Sequence, residues 1–258
     1  MIQTLGDLGL AFRTQGEMDT AFEVFKKALS ASQKAGARQT EAATHGHLGN
    51  LYRERGQVDL AILSYERALS IAREIEDPRA ECTHLSSLGN IYCALGQVDQ
   101  ALEVHRRTIR LAQESNDLSK EARCLGNLGI AHRTRGEVDQ ALSCFTQALT
   151  AAQNAGDRLT EADSHGNMGN AYRERGQADL AITCYQRALE IAQELQNPKE
   201  EATWLANLGL AHIDQGKFNQ ATSLLTQAHQ LFTTLKSPHA KITQQQLAQL
   251  AAREQSHT

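Results

Sequence analysis

The chain has 258 residues, of which 41% are hydrophobic and 22% charged, with a formal net charge of −4 at pH 7. This composition is typical of a folded chain and excludes an intrinsically disordered one. Because there is no excess of basic residues to neutralise phosphates, we expect no nucleic-acid partner.

No apolar run approaches the length of a membrane span, and the opening residues MIQTLGDLGLAF lack the basic and then apolar pattern of a secretory signal. The five cysteines form no CxxC pair and are odd in number, which suits free thiols in a reducing compartment. We therefore expect a cytoplasmic protein without a membrane partner. The oligomeric state is left open.

Glycine recurs every 40 residues in two parallel series, and Ala21 and Asp19 begin series with the same step. The two glycine series are Gly9, Gly49, Gly89, Gly129, Gly169 and Gly209, and Gly16, Gly56, Gly96, Gly136, Gly176 and Gly216. Such fixed self-similarity predicts a solenoid of helical hairpins, each with a first helix (helix A) and a second helix (helix B).

Residues 78–117 show how one repeat should fold. Pro78 suits a first helical turn, and Leu85 and Leu88 then give helix A an apolar stripe. Gly96 should end helix A in a tight turn, and Asp99 should lie in the first turn of helix B, where its charge complements the helix dipole.

The first three hairpins are repeated as a block in the last three. Residues 9–88 and 129–208 share 45 identical pairs among 80, and YRERGQ occurs at both 52–57 and 172–177. We therefore predict that residues 9–128 are duplicated as 129–248. Six hairpins should span 1–237, and 238–258 should form a C-terminal capping helix and tail, because such stacks need a polar end.

The segment LGNLYRERGQVDLAILSYERAL, residues 48–69, resembles the tetratricopeptide repeat. The positions that match the motif are Leu48, Gly49, Tyr52, Ala61, Tyr65 and Ala68. The resemblance covers nearly the whole chain and implies an all-α, right-handed superhelical solenoid of six hairpins plus a C-terminal capping helix. The 40-residue period exceeds the usual one of about 34, and in this it is similar to the Leu-Gly-Asn repeats of Pins-type adaptors.

The resemblance also implies that one face of the A helices, which carries Gly46, Asn50 and Arg53, lines a concave groove. An asparagine side chain can both donate to and accept from a peptide backbone, and an arginine offers a planar fork to carboxylates. We expect the peptide-binding residues to be Arg13, Asn50, Arg53, Asn90, Asn127, Arg133, Asn167, Asn170, Arg173 and Asn207.

Packing is the alternative role for these residues. Asn50 and its equivalents could hydrogen-bond a neighbouring A helix, and Arg53 could pair with Glu54 or with the next hairpin. Gly46 and the equivalent glycines could simply permit close stacking of A helices. Cys93 takes an arginine position of the groove and is the thiol that we expect to be reachable.

The sequence contains no HExxH motif, Cys/His cluster, phosphate loop or GxSxG elbow, so we expect no enzyme, metal site or cofactor. We expect a protein–protein interaction adaptor or scaffold that binds an extended, acidic peptide segment of a partner. The duplicated cassette would supply two similar docking segments. The alternative is a ligand-responsive sensor module of a larger signalling or transcription-regulating protein.

Overall fold

The computed structural model describes residues 2–255, with side chains for 4–252, and within this range the chain forms thirteen α-helices and no strand. The helices are α1 (Ile2–Thr14), α2 (Met18–Ala35), α3 (Arg38–Glu54), α4 (Val58–Glu74), α5 (Pro78–Ala94), α6 (Val98–Glu114), α7 (Leu118–Thr134), α8 (Val138–Ala155), α9 (Arg158–Glu174), α10 (Ala178–Glu194), α11 (Pro198–Asp214), α12 (Phe218–Thr234) and α13 (His239–Gln255). The all-α architecture of consecutive hairpins is confirmed. Odd-numbered helices take the A position and even-numbered helices the B position.

The helices group into two compact units, one ending at Thr134 and one beginning at Arg135. In the first unit, α1 to α7, each helix packs against the next, and each A helix also contacts the following A helix. In the second unit, α8 to α13, successive helices pack in the same order. None of the described helices is long and apolar enough to cross a membrane.

A glycine turn ends each A helix, as the register predicts. Gly56 has φ +72°, its N–H donates to the carbonyl of Arg53 at 3.0 Å, and the N–H of Gln57 donates to the carbonyl of Tyr52 at 2.8 Å. Glycine adopts this left-handed conformation without the steric cost that a Cβ atom adds. The equivalent Gly96, at φ +71°, ends α5 in the same way.

The turns between hairpins are less uniform. Gly36 and Gly156 adopt left-handed φ values of 64° and 67° there. The equivalent residues of other repeats are not glycine but take the same conformation, with φ of 51–52°: Glu76, Asn116, Gln196 and Lys236. These turns therefore carry local strain that glycine would relieve.

A second glycine of each repeat lets the two helices of a hairpin approach closely. A Cβ atom on Gly49 would lie 2.9 Å from the ring of Tyr65, and one on Gly169 would lie 2.6 Å from the ring of Tyr185. The same close approach holds between Gly89 and His105. The register glycines of the A helices thus define where the large side chain of helix B is buried.

Ion pairs tie two of the A helices, α3 and α9, to the B helix before each of them. Arg55, within the first YRERGQ, forms an ion pair with Asp19 of α2, and Arg175, within the second, pairs with Asp139 of α8. Both pairs join residues 36 positions apart. Packing between hairpins therefore uses at least one charge of the repeated hexapeptide.

A buried carboxylate at the start of several A helices makes a second tie between hairpins. Glu81 is 7% exposed and accepts hydrogen bonds from Arg73 at 3.0 Å and from Arg107 at 2.9 Å. Burial alone would raise the pKa of Glu81, but these two hydrogen bonds outweigh it and lower the pKa. Glu41 and Glu161 are buried in the same way.

Candidate peptide-binding face of the A helices

A cleft of about 340 Å³ opens in the first unit between α3, α5 and the start of α7. Its walls are mostly apolar. The lining residues are Gln39, Ala43, Gly46, His47, Asn50, Tyr65, Asp77, Arg79, Ala80, Thr83, His84, Ser87 and Lys120. Asn50, predicted to bind peptide, is thus part of a concave surface.

The two cations of the cleft differ in their surroundings. Arg79 is exposed, and the Lys120 ammonium donates to the carbonyl of Arg79 at 3.5 Å and lies 3.7 Å from Asp117. The cleft carboxylate, Asp77, is engaged at the start of α5, where it accepts from the Ala80 N–H at 3.0 Å. An anionic group that enters the cleft can therefore pair with the exposed guanidinium of Arg79.

The two imidazoles of the cleft are neutral at pH 7. Burial lowers the pKa of His84 to about 4, and burial also lowers the pKa of His47. They contribute flat, uncharged walls, so the positive charge of the cleft comes from Arg79 and Lys120.

Asn50 and Asn170 have a packing role, as the alternative in the sequence analysis allowed, but with a different partner. The hydroxyl of Tyr65 donates to Oδ1 of Asn50 at 2.6 Å, and the hydroxyl of Tyr185 donates to Oδ1 of Asn170 at 2.7 Å. The partner is helix B of the same hairpin, not a neighbouring A helix. Each amide NH₂ group remains as a donor.

A signal for this pairing is present in the sequence at an offset of 15 residues. Polar residues pair with polar ones and apolar with apolar in all six repeats: Leu10 with Phe25, Asn50 with Tyr65, Asn90 with His105, Ile130 with Phe145, Asn170 with Tyr185, and Leu210 with Leu225. The asparagine positions are therefore coupled to the buried residue of helix B.

The four predicted arginines differ in their surroundings. Arg13 lies 3.9 Å from Glu54, and Nε of Arg173 donates to Asp214 at 2.6 Å. Arg133 is half-buried. Arg53 is exposed and, among the residues that the structure describes, lies within ion-pair distance of no carboxylate. The predicted alternative of pairing with the next hairpin thus holds for Arg173 but not for Arg53.

The other predicted asparagines are accessible to different degrees. Asn90 is exposed, whereas Asn127, Asn167 and Asn207 are half-buried. In the second unit, Asn207 lines a cleft of about 200 Å³ between α11 and α13. Arg173 lines another, of about 260 Å³, with Asp214.

Two mid-helix glycines, Gly46 and Gly166, allow close stacking of A helices, whereas a Cβ atom on the equivalent Gly6 or Gly126 would have no atom within 4 Å. A Cβ atom on Gly46 would lie 2.7 Å from the imidazole of His84, and the indole of Trp204 covers Gly166 still more closely. Gly46 therefore has the role in close stacking that the sequence analysis gave as the alternative. Among the described residues, no three His, Cys, Asp or Glu side chains are grouped to hold a metal ion.

The repeat pattern and the alternation of A and B helices agree with one family of proteins. The Tetratricopeptide repeat profile matches residues 1–74, 80–154 and 160–234, which together make up most of the chain. The chain belongs to the tetratricopeptide repeat family. Tetratricopeptide repeat domains are generally non-catalytic protein-binding modules. No curated protein matches this tetratricopeptide repeat sequence.

Several solved structures share the tetratricopeptide repeat fold of this chain. BtubC (BKLC) from P. vanneervenii is 20% identical, with a TM-score of 0.73 over 86% of this chain and 93% of that one. The STAND protein PH0952 from Pyrococcus horikoshii, which has a tetratricopeptide repeat sensor, is 15% identical, with a TM-score of 0.77 over 97% of this chain and 38% of that one. A Rap protein complexed with Competence and Sporulation Factor is 14% identical, with a TM-score of 0.70 over 98% and 76%. Identities this low establish the fold alone.

Proposed function

We propose that this chain is a protein–protein interaction adaptor or scaffold that binds an extended, acidic peptide segment of a partner on the exposed face of its A helices. The observation that carries the proposal is the cleft of about 340 Å³ in the first unit, with Arg79 and Lys120 at its walls. Its volume falls within the range of about 300–1,000 Å³ that is typical of ligand sites. The exposed guanidinium of Arg79 and the nearby ammonium of Lys120 are suited to carboxylates.

Asn50 is suited to hold the backbone of such a peptide. Because the Tyr65 hydroxyl donates to Oδ1, the NH₂ group of the amide is oriented away from that bond and can donate to a peptide carbonyl of any sequence. The hydrogen bond also restricts the rotamer of Asn50, so less conformational entropy is lost when a ligand binds.

Arg53 is suited to the acidic side chains of the segment. It lies close enough to Tyr65 to oppose the effect of burial, which raises the pKa of that hydroxyl. Its exposed guanidinium can form a bidentate pair with a carboxylate. Arg173 can do the same only in competition with Asp214.

A similar structure supports ligand binding by this fold, since the Rap protein is complexed with Competence and Sporulation Factor. We take the binding face of this chain to be the one that carries Arg53 and the cleft.

The test compares two double variants on an array of acidic and neutral peptides. Arg53→Glu with Arg173→Glu should reduce binding to acidic peptides by about tenfold or more, since each charge-assisted hydrogen bond contributes about 1.5–3 kcal/mol. Arg67→Glu with Arg187→Glu makes the same charge change on exposed helix B positions and should leave binding within about twofold. Equal losses in the two double variants would show general electrostatics and no site.

A ligand-responsive sensor module is the second candidate function. It is favoured by the similarity to the tetratricopeptide repeat sensor of the STAND protein, of which this chain covers 38%. Small-angle scattering with and without a bound peptide separates the two functions. The profiles superpose for a passive adaptor and diverge for a sensor whose stacked hairpins rotate.

A further inference from the structure

The two copies of the duplicated cassette differ most where the first copy forms its cleft. Twelve of the thirteen lining residues fall in 9–88, and four of these twelve are identical in 129–208. The identical ones are Gly46, Asn50, Tyr65 and Thr83. Of the other 68 positions, 41 are identical. The scaffold was kept after the duplication, whereas the walls of the cleft changed.

The largest change of shape is at one position, which is His84 in the first unit and Trp204 in the second. Both side chains lie over a glycine of the preceding A helix, Gly46 and Gly166. The indole is larger than the imidazole, is 6% exposed, and stacks on Tyr185 with ring centroids 6.5 Å apart. The indole of Trp204 therefore covers Gly166 with a larger ring, and more closely, than the imidazole of His84 covers Gly46.

The charge changes in the same comparison. Among its lining residues the first unit has two cations, Arg79 and Lys120, and one carboxylate, Asp77, while Asp117 lies outside the lining at 3.7 Å from Lys120. At the equivalent positions the second unit keeps one cation, Lys199, has Ala240 in place of Lys120, and has no carboxylate in place of Asp77. It adds Asp163 and Glu200 where the first unit has alanines, so the balance moves from one positive charge to one negative charge.

We propose, on the basis of the proposed function, that the first unit alone anchors the acidic segment, through one bulky apolar side chain inserted next to acidic residues. The inserted side chain packs against Gly46, Tyr65 and the neutral ring of His84, while the flanking carboxylates meet Arg79 and Lys120. The second unit does not bind this segment, because an indole fills the equivalent space and carboxylates border it. The expected pair of similar docking segments is thereby replaced by one anchoring site.

The probes are labelled octapeptides of Glu and Gly with Phe, Leu or Ala at one central position, measured by calorimetry. The wild type should bind one Phe or Leu peptide per chain, about tenfold more tightly than the Ala peptide. His84→Trp should weaken the binding of the Phe peptide by about tenfold or more, and Trp204→His should leave its affinity within about twofold of the wild type. The second unit shows that a tryptophan can be packed over this glycine.

Two variants that reverse surface charges, one in each unit, test the same inference without a change in the core. Arg79→Glu with Lys120→Glu should abolish the binding of the Phe peptide, whereas Lys199→Glu should leave it unchanged. Two peptides bound per chain, or equal losses from the variants of the two units, would overturn the inference and leave the proposed function in place. Failure of the wild type to bind any acidic peptide of the array would overturn the proposed function and this inference with it.

Discussion

The substitution His105→Tyr should make the protein more stable, because the imidazole is poorly matched to its site. The side chain of His105 is fully buried, and neither ring nitrogen has a hydrogen-bond partner among the described residues. In two other repeats the equivalent residue is tyrosine, and its hydroxyl donates to an asparagine 15 residues earlier. Asn90 occupies that asparagine position opposite His105.

The gain at neutral pH follows from the hydrogen bonds. A buried polar group without a partner costs about 1–3 kcal/mol, and a new hydrogen bond contributes about 0.5–1.5 kcal/mol. Since the hairpins of Tyr65 and Tyr185 accommodate a phenol ring over the register glycine, we expect little strain from the larger side chain. His105→Tyr should therefore raise the free energy of unfolding by about 1–3 kcal/mol at pH 7.

The gain should grow as the pH falls. Burial lowers the pKa of His105 to about 4, whereas a histidine of the unfolded chain titrates near 6.5. Below pH 6.5 the unfolded state therefore binds a proton that the folded state does not, and the wild type loses stability until the pH reaches about 4. At one pKa unit per 1.4 kcal/mol this loss amounts to about 3 kcal/mol, and the tyrosine variant does not suffer it.

The assay is urea unfolding of the wild type and the variant at pH 7 and at pH 4.5. His84, whose pKa burial also lowers to about 4, is present in both proteins and cancels in the comparison. Tyr65→His is the reciprocal control and should destabilise the protein and steepen its dependence on pH. An unchanged midpoint for His105→Tyr at both pH values would refute the account of His105 as a buried, unpartnered imidazole.

Three further predictions concern packing and turns. Tyr65→Phe should cost about 1 kcal/mol because it leaves Asn50 without its hydrogen bond, and adding Asn50→Leu should restore most of that loss in thermal melts, since repeats with an apolar pair already exist. A full and additive loss in the double variant would contradict the coupling. Glu76→Gly should raise the free energy of unfolding by about 0.5–1 kcal/mol, because φ is 52° there, whereas Gly36→Ala should lower it; opposite signs in urea melts would show that these turns carry no strain. Glu81→Gln should destabilise the protein by about 1–3 kcal/mol at pH 7, and the difference from wild type should shrink as the pH falls below the ordinary carboxyl range, because the lowered pKa of Glu81 contributes stability only while the carboxylate is ionised. A difference that is constant with pH would argue against its ion pairs as the cause.

The fold could be predicted from the sequence because its causes are local and repeated. The apolar stripes and the turn glycines each act within one hairpin, and they recur with the 40-residue step, so each of the six repeats predicts the same hairpin. Gly56 and Gly96 could be assigned to turns from the sequence, because they follow the apolar stripe of helix A and because glycine adopts a left-handed φ without steric cost.

The candidate site could be predicted only as a face of the A helices, because its residues owe their roles to partners on other helices. Arg173 donates to Asp214, 41 residues later. The residue 41 positions after Arg53 is Ala94, and Arg53 has no ion-pair partner among the described residues. Both arginines lie within the same hexapeptide, YRERGQ, so the hexapeptide by itself cannot show which of them forms an ion pair.

The sequence by itself determined that the chain is a stack of helical hairpins, since hydrophobic period and turn chemistry are properties of short segments. The tertiary structure decided which side chain covers each mid-helix glycine. The side chain that covers the glycine lies 38 residues further along the chain in both units, and it is His84 over Gly46, beside the cleft, and Trp204 over Gly166. Side-chain volume acts only where two helices meet, and that meeting is formed by packing.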